Sequence, residues 1–152
     1  MFSGRFDHAL DDKGRTMVPK DFREILESRG ETVLKITNGL GAPHHLEVRS
    51  AASFALYQQE VDAVMNEDEI EDYKLFYFGA ASTVELDKAG RILIPATFRH
   101  LLGLQDTVAF SGVDSQRFQI WKPEVLNAKY ADVNSRASAI RGRLAQLRRE
   151  AT

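Results

Sequence analysis

Residues 10–23 read LDDKGRTMVPKDFR, and residues 86–99 repeat the same pattern as LDKAGRILIPATFR. Seven of the fourteen aligned positions are identical, whereas ordinary composition predicts about one match by chance. Two further positions keep an apolar residue in both copies. The chain therefore contains a duplicated structural unit.

The second copy of the repeat is typical of a β-hairpin followed by a short helix. Residues 83–86 alternate as a strand, residues 87–90 have turn residues that end in glycine, and residues 91–94 are apolar and favour a strand. Pro95 then stands where a first helical residue is expected, and Gly103 stands where the helix should end.

The first copy predicts the same order of elements. Residues 11–14 form its turn, residues 16–18 form its strand, and a helix runs from Pro19 to Gly30. Two strand-like segments follow each helix, at residues 32–37 and 46–48 in the first copy and at residues 107–111 and 118–121 in the second. Four strands cannot easily bury both faces alone, so the two copies are expected to interleave as a small barrel or sandwich.

The remaining segments have the periodicity of helices. Residues 51–80 predict two helices that are separated at the acidic run of residues 67–72, and the tail from Pro123 is also helical in pattern. The predicted organisation is a first repeat (1–50), a helical connection (51–80), a second repeat (81–124) and a C-terminal helix or tail (125–152). With 152 residues, the halves are too small for independent cores and should share one.

Composition indicates a soluble globular protein. Apolar residues make up 43% of the chain and charged residues 28%, there is no cysteine, and no uncharged segment is long enough to cross a bilayer. The first ten residues lack the apolar core of a signal peptide, so a cytoplasmic location is expected. The net charge of −2 does not favour nucleic-acid binding by itself, but the acids of residues 67–72 and the arginines of residues 136–149 are strongly separated.

No group of residues predicts catalysis or metal binding. His44, His45 and Glu47 are compressed into one loop and strand without a further ligand cluster, and no serine stands in the context of a nucleophile. We expect neither an enzyme, nor a cofactor, nor a small-molecule substrate.

The repeated D-x-x-x-R pattern is the strongest functional signal. Asp11 and Arg15, and likewise Asp87 and Arg91, stand at the two ends of a tight turn. One interpretation is a turn braced by an ion pair; the other is a pair of exposed hairpins whose guanidinium groups contact guanine edges and phosphates. The candidate DNA-binding residues are Asp11, Lys13, Arg15, Asp87, Lys88, Arg91 and Arg5.

These segments resemble the MraZ family of bacterial transcriptional regulators, which contain two tandem SpoVT-AbrB-type repeats. The resemblance rests on the opening GRFDHALDDKGRTMVP, on D-x-x-x-R in both copies, on Gly79-Ala80-Ala81 before the second copy and on FQIW near the end. It implies an α+β fold in which two swapped-hairpin, AbrB-like repeats form one pseudo-two-fold β-barrel with added helices. It also implies that several chains assemble into a ring.

The resemblance further implies binding to short repeated DNA sequences upstream of the cell-division and cell-wall gene cluster, in the cytoplasm at the nucleoid. Asp11, Arg15, Asp87 and Arg91 carry over as the DNA-facing residues, whereas Lys13 is added on position and charge. The two hairpins differ because Lys88 stands where the first copy has an acid, so unequal contacts are expected. An alternative remains open: an oligomeric, protein-binding adaptor that uses the acidic helix and the arginine-rich tail and does not bind DNA.

Overall fold

The computed structural model describes residues 1–152 and has an α+β fold with eight strands and six helices. The strands are β1 (Arg5–Ala9), β2 (Arg15–Met17), β3 (Val33–Asn38), β4 (Leu46–Ser50), β5 (Ser82–Glu85), β6 (Arg91–Leu93), β7 (Thr107–Gly112) and β8 (Arg117–Trp121). The helices are α1 (Lys20–Ser28), α2 (Ala51–Asp62), α3 (Asp68–Tyr77), α4 (Ala96–Leu102), α5 (Pro123–Ser135) and α6 (Ala137–Glu150). None of these helices has the length and apolar character needed to cross a membrane.

The strands form two antiparallel sheets that mix the two copies of the repeat. Six strands are ordered β1-β7-β8-β4-β3-β5, and β2 pairs with β6 as a separate two-stranded sheet. The first strand of each copy pairs with the third strand of the other copy, β1 with β7 and β5 with β3. Neither copy therefore has a complete sheet of its own.

The six-stranded sheet is open, and the prediction of a closed barrel is wrong. Its edge strands β1 and β5 do not pair with each other. Strand β2 follows β1 in the chain, and β6 follows β5. Each has only three residues and is soon followed by a proline, Pro19 or Pro95. Proline has no N–H group to extend a ladder, so this ribbon stays short, and an isolated bridge between Leu10 and Thr16 links it to the end of β1.

A single hydrophobic core joins the two copies, which confirms that the halves share one. Nineteen buried residues form this core. Equivalent positions of the repeat contribute in pairs, which are Leu10 and Leu86, Val18 and Ile94, Phe22 and Phe98, and Leu26 and Leu102. The identical apolar positions of the two sequence segments are therefore explained by packing.

Two helix boundaries differ from the sequence prediction. Pro19 and Pro95 are the N-cap residues with extended backbone, and helices α1 and α4 begin one residue later. The two helices predicted for residues 51–80 are present as α2 and α3, but the break between them lies at residues 63–67, and Asp68, Glu69 and Glu71 of the acidic run lie in the first turn of α3. Carboxylates stabilise a helix N-terminus by interacting with its unpaired N–H groups and dipole, which accounts for this start.

Candidate nucleic-acid interface

The aspartate of each D-x-x-x-R pattern organises its turn. Asp11 Oδ1 accepts hydrogen bonds from the backbone N–H groups of Lys13 at 2.9 Å and Arg15 at 2.8 Å. Its other oxygen, Oδ2, accepts one from Arg15 Nε at 2.9 Å. The same three bonds recur in the second turn, where Asp87 accepts from the backbone of Ala89 at 2.9 Å and Arg91 at 2.8 Å and from Arg91 Nε at 3.1 Å.

These contacts hold both aspartates in the charged form. Hydrogen bonding to the backbone N–H of Arg15 is the largest cause that lowers the pKa of Asp11, and the Arg15 side chain adds to it. The pKa of Asp87 is lowered in the same way by Arg91. The braced turn predicted as the structural interpretation is therefore present, but it uses only the Nε edge of each arginine.

The opposite edge of each guanidinium, which bears the Nη groups, is free to donate hydrogen bonds. The Nη groups of Arg15 and Arg91 have no hydrogen-bond partner within the chain, and each side chain is 39% exposed. An arginine with Nε held by a carboxylate and both Nη groups free is pre-organised to donate a pair of parallel hydrogen bonds.

Both arginines lie on one face of the β2–β6 ribbon. Strand register places Arg15 opposite Leu93 and Arg91 opposite Met17. Residues directly opposite each other share a face of an antiparallel pair, so this face presents two arginines on a diagonal, with Cα atoms about 8 Å apart. The other face, with Thr16 and Ile92, is buried against the core.

The turns are tied to each other across the repeat. Gly90 O accepts a hydrogen bond from the backbone of Val18 at 2.9 Å, and Gly14 O accepts one from Ile94 at 2.8 Å. Both glycines are buried and have positive φ, +90° at Gly14 and +85° at Gly90. Each turn therefore depends on the strand end of the other copy.

Arginines of the helices cover these glycines, again reciprocally. Arg23 of α1 donates from Nε to Val18 O at 2.9 Å, and a Cβ built on Gly90 would lie 2.7 Å from its Cδ. Arg99 of α4 donates to Ile94 O at 2.9 Å, and a Cβ built on Gly14 would lie 2.5 Å from its Nε. Sequence reasoning missed both arginines, although they occupy one of the seven identical positions.

The remaining candidate residues are placed differently. Lys13 and Lys88 are exposed in their turns, which lie at opposite ends of the antiparallel β2–β6 ribbon. Arg5 is not brought to the turns: it stands at the far end of β1, pairs with Asp7 at 3.0 Å and contacts Asn127 and the ring of Tyr130 on α5.

The residues weighed for metal binding have other partners. Glu47 is buried, and its carboxylate pairs with Arg117 at 3.0 Å and accepts a hydrogen bond from the hydroxyl of Tyr77. The His45 ring stacks on Trp121 with centroids 4.3 Å apart, and burial lowers the pKa of His45. These side chains stabilise the sheet and its flanking helices.

Comparison with known proteins agrees with the repeat and its spacing. Residues 1–75 and 77–144 match the family model described as "MraZ protein, putative antitoxin-like". The protein named transcriptional regulator MraZ from Lactiplantibacillus plantarum is 38% identical over 130 residues, covering 82% of this chain and 84% of that protein. Proteins of the same name from Acetivibrio thermocellus and Thermomicrobium roseum are 32% and 34% identical over 148 residues, each covering 97% of this chain and 99% of the relative. The chain belongs to the MraZ family.

Proposed function

We propose that the chain is a sequence-specific DNA-binding transcriptional regulator, without catalytic activity, that reads bases with the exposed face of the β2–β6 ribbon. The observation that carries this proposal is the pair of braced arginines on that face, whose Nη groups have no partner within the chain. The relatives are named as transcriptional regulators, which supports the regulatory role.

The shape of the ribbon suits duplex DNA. The major groove, about 12 Å wide, admits a two-stranded β-ribbon, and an arginine that donates two parallel hydrogen bonds matches guanine O6 and N7. Asp11 and Asp87 fix the orientation of Arg15 and Arg91 before binding, which lowers the ordering cost of the contact.

Charge makes the two turns unequal. Asp12 and Lys13 cancel in the first turn, whereas the second turn has Lys88 and the neutral Ala89 at these positions. The charges of the aspartate and arginine of the D-x-x-x-R pattern also cancel in each turn. The first turn is therefore neutral, and the second has one net positive charge. We propose that Lys13 and Lys88 contact phosphates and that the second turn contributes more to binding that is independent of sequence.

The family resemblance supplies the proposed target, which is a set of short repeats upstream of the cell-division and cell-wall gene cluster, at the nucleoid. One ribbon offers few positive charges. Several chains that bind adjacent repeats together would raise the effective concentration of each contact, so repeated sites fit an oligomer better than a monomer.

We propose that helix α6 forms part of the contact between chains. None of its residues is buried, and its apolar stripe is exposed at Ile140 (44%), Leu144 (54%) and Leu147 (45%). The arginines of residues 136–149 surround this stripe. A second copy offers the complementary chemistry, because the acidic start of α3 lies beside exposed Met65 and Leu75. A contact between unlike surfaces closes into a ring when its rotation permits.

Solution mass tests this contact. Leu144→Asp places a charge in the centre of the stripe, and light scattering coupled to gel filtration is expected to give a smaller mass with unchanged circular dichroism. Gln146→Asp on another face of α6 is the matched control and should keep the wild-type mass. An unchanged mass for Leu144→Asp would remove α6 from the interface.

Fluorescence anisotropy with the native upstream DNA tests the proposed function. Arg15→Ala and Arg91→Ala should each weaken binding by about 5- to 150-fold, the factor expected for one bidentate base contact. Arg29→Ala removes the same charge from the far end of α1 and should bind as the wild type does. Unaltered binding by both ribbon variants would remove the hairpins from DNA recognition.

The alternative of an adaptor that binds proteins only is supported by the same exposed stripe of α6. Competition separates the two functions. A regulator binds its own upstream DNA in preference to a scrambled duplex, and its affinity falls steeply with salt. Equal binding to both duplexes, or none to either, would favour the adaptor.

A further inference from the structure

We propose that Arg23 and Arg99 are positioning residues that act crosswise, so that the helix of each repeat fixes the DNA-facing turn of the other repeat. Arg23 would hold the turn that presents Arg91, and Arg99 the turn that presents Arg15. This inference rests on the proposed function, but its structural part does not need DNA.

The contact of Arg23 with the opposite turn has two components. The Arg23 stem lies against the open side of Gly90, where a Cβ would stand 2.7 Å from its Cδ and 2.8 Å from its Nη1. Its Nε–H group donates to Val18 O, and the N–H group of the same Val18 donates to Gly90 O. Arg23 therefore braces Val18, whose backbone N–H group is hydrogen-bonded to the second turn.

The second contact repeats the first with the copies exchanged. Arg99 lies against Gly14, and its Nε–H group donates to Ile94 O, while Ile94 N–H donates to Gly14 O at 2.8 Å. The two contacts therefore use the same pair of hydrogen bonds with the copies exchanged, so that each turn has its own helix arginine from the other copy. The register of β2 and β6 sets the spacing between Arg15 and Arg91, and the two helix arginines hold the turns at the ends of this ribbon.

Glycine has a specific role in this arrangement. Both turn glycines are buried although they lie in tight turns, because a guanidinium-bearing side chain of the other copy covers each one. A β-carbon would stand within 3.0 Å of the end of that side chain, which would have to shift away from the position in which it donates its hydrogen bond. Close approach of the two copies thus requires glycine, in addition to the requirement from positive φ.

Hydrogen–deuterium exchange of the full-length, DNA-free protein tests the crosswise contact. Arg23→Ala should speed exchange in residues 86–91 more than in residues 10–15, and Arg99→Ala should do the reverse. Lys20→Ala is the matched control, since this α1 residue has a side chain that is 78% exposed and pairs only with Glu24. Exchange that rises equally in both turns, or in neither, would overturn the proposal. Arg23→Gln, which keeps most of the stem, is the second variant if Arg23→Ala does not fold.

A double-mutant cycle on DNA affinity separates positioning from direct contact. Arg23→Ala alone should weaken binding by about 2- to 30-fold, the range for residues that act through others. In the Arg91→Ala background, Arg23→Ala should cause little further loss of DNA affinity. In the Arg15→Ala background it should weaken binding by the same factor as in the wild type. An equal, full loss in both backgrounds would mean that Arg23 contacts DNA itself and would overturn the positioning role.

The two experiments fail in different ways. If Arg15→Ala and Arg91→Ala both leave DNA binding unchanged, the proposed function is wrong, yet crosswise exchange would still establish the bracing of the turns. If the ribbon variants lose binding but exchange is not crosswise, the function stands and the role of Arg23 and Arg99 is wrong.

Discussion

Replacement of Gly90 by alanine should destabilise the protein by more than its backbone conformation explains. The φ of +85° at this residue costs an L-amino acid about 1–2 kcal/mol. The new Cβ would also lie 2.7 Å from Arg23 Cδ. Arg23 must move, and loss of its hydrogen bond to Val18 O adds about 1 kcal/mol.

Gly30→Ala provides the matched control, because Gly30 has a similar φ of +68° and a Cβ there would meet no atom within 4 Å. At about 2–4 °C per kcal/mol for a chain of this size, Gly90→Ala should lower Tm about 2–4 °C further than Gly30→Ala. Circular dichroism melts at one protein concentration measure this difference, since association shifts Tm.

Removal of the Arg23 side chain should cancel the difference. In an Arg23→Ala background the two glycine substitutions are expected to cost the same, because only the backbone penalty remains. Equal Tm losses for Gly90→Ala and Gly30→Ala in the wild-type background would refute the contact between Arg23 and the second turn.

Three further predictions concern pH and buried polar contacts. The folded chain lowers the pKa of Asp11 and Asp87 from 3.8, so their contribution to stability is complete above this value and is lost as pH falls from 3.8 through the lower pKa of the folded chain. Asp11→Asn with Asp87→Asn should therefore flatten the acid-unfolding curve below pH 3.8. Burial lowers the pKa of His45 from 6.5, so the unfolded chain binds the proton first and stability falls as pH drops below 6.5. His45→Gln should therefore reduce the Tm difference between pH 7 and pH 5, and an unchanged difference would contradict this cause. Tyr77→Phe removes the hydroxyl that donates to buried Glu47 and should cost about 1–3 kcal/mol in urea unfolding. A loss near zero would mean that the ion pairs of Glu47 with Arg117 at 3.0 Å and with Arg49 at 3.3 Å are sufficient for this carboxylate.

The sequence repeat predicted local structure well because its signals are local. Glycine in a tight turn, proline before a helix and apolar residues at helical spacing each act over a few residues, and the hairpins and helices α1 and α4 follow from them. Equivalent pairs such as Leu10 and Leu86 were recognisable as core residues because both copies keep them.

Long-range pairing was less accessible from the sequence. Strand patterns do not specify whether β1 and β5 meet, and the structure leaves them at opposite edges. The exact position of the break between α2 and α3 was also inaccessible, because a cluster of acidic residues favours both a solvated break and a helix N-terminus, and most of this cluster lies in the first turn of α3.

The candidate site was only partly visible in the sequence for the same reason. The D-x-x-x-R spacing specified Asp11 and Arg15 because the turn is local. It could not specify that Arg23 reaches the turn 67 residues away around Gly90, since that contact depends on how the two copies interleave. The presence of arginine at both equivalent positions, 23 and 99, is the signal in the sequence for this contact, but duplication of the unit explains the same identity. Arg5 is near Asp11 in the chain, but the extended β1 carries it away.

Base discrimination by the β2–β6 ribbon can be measured as a ratio of two DNA affinities. Anisotropy at a single salt concentration gives the affinity for the native upstream DNA relative to a scrambled duplex, for the wild type and for the Arg15→Ala/Arg91→Ala double variant. We expect the double variant to lose at least about 30-fold of this ratio while it keeps its fold and solution mass. A double variant that retains the wild-type ratio would contradict base reading by the β2–β6 ribbon.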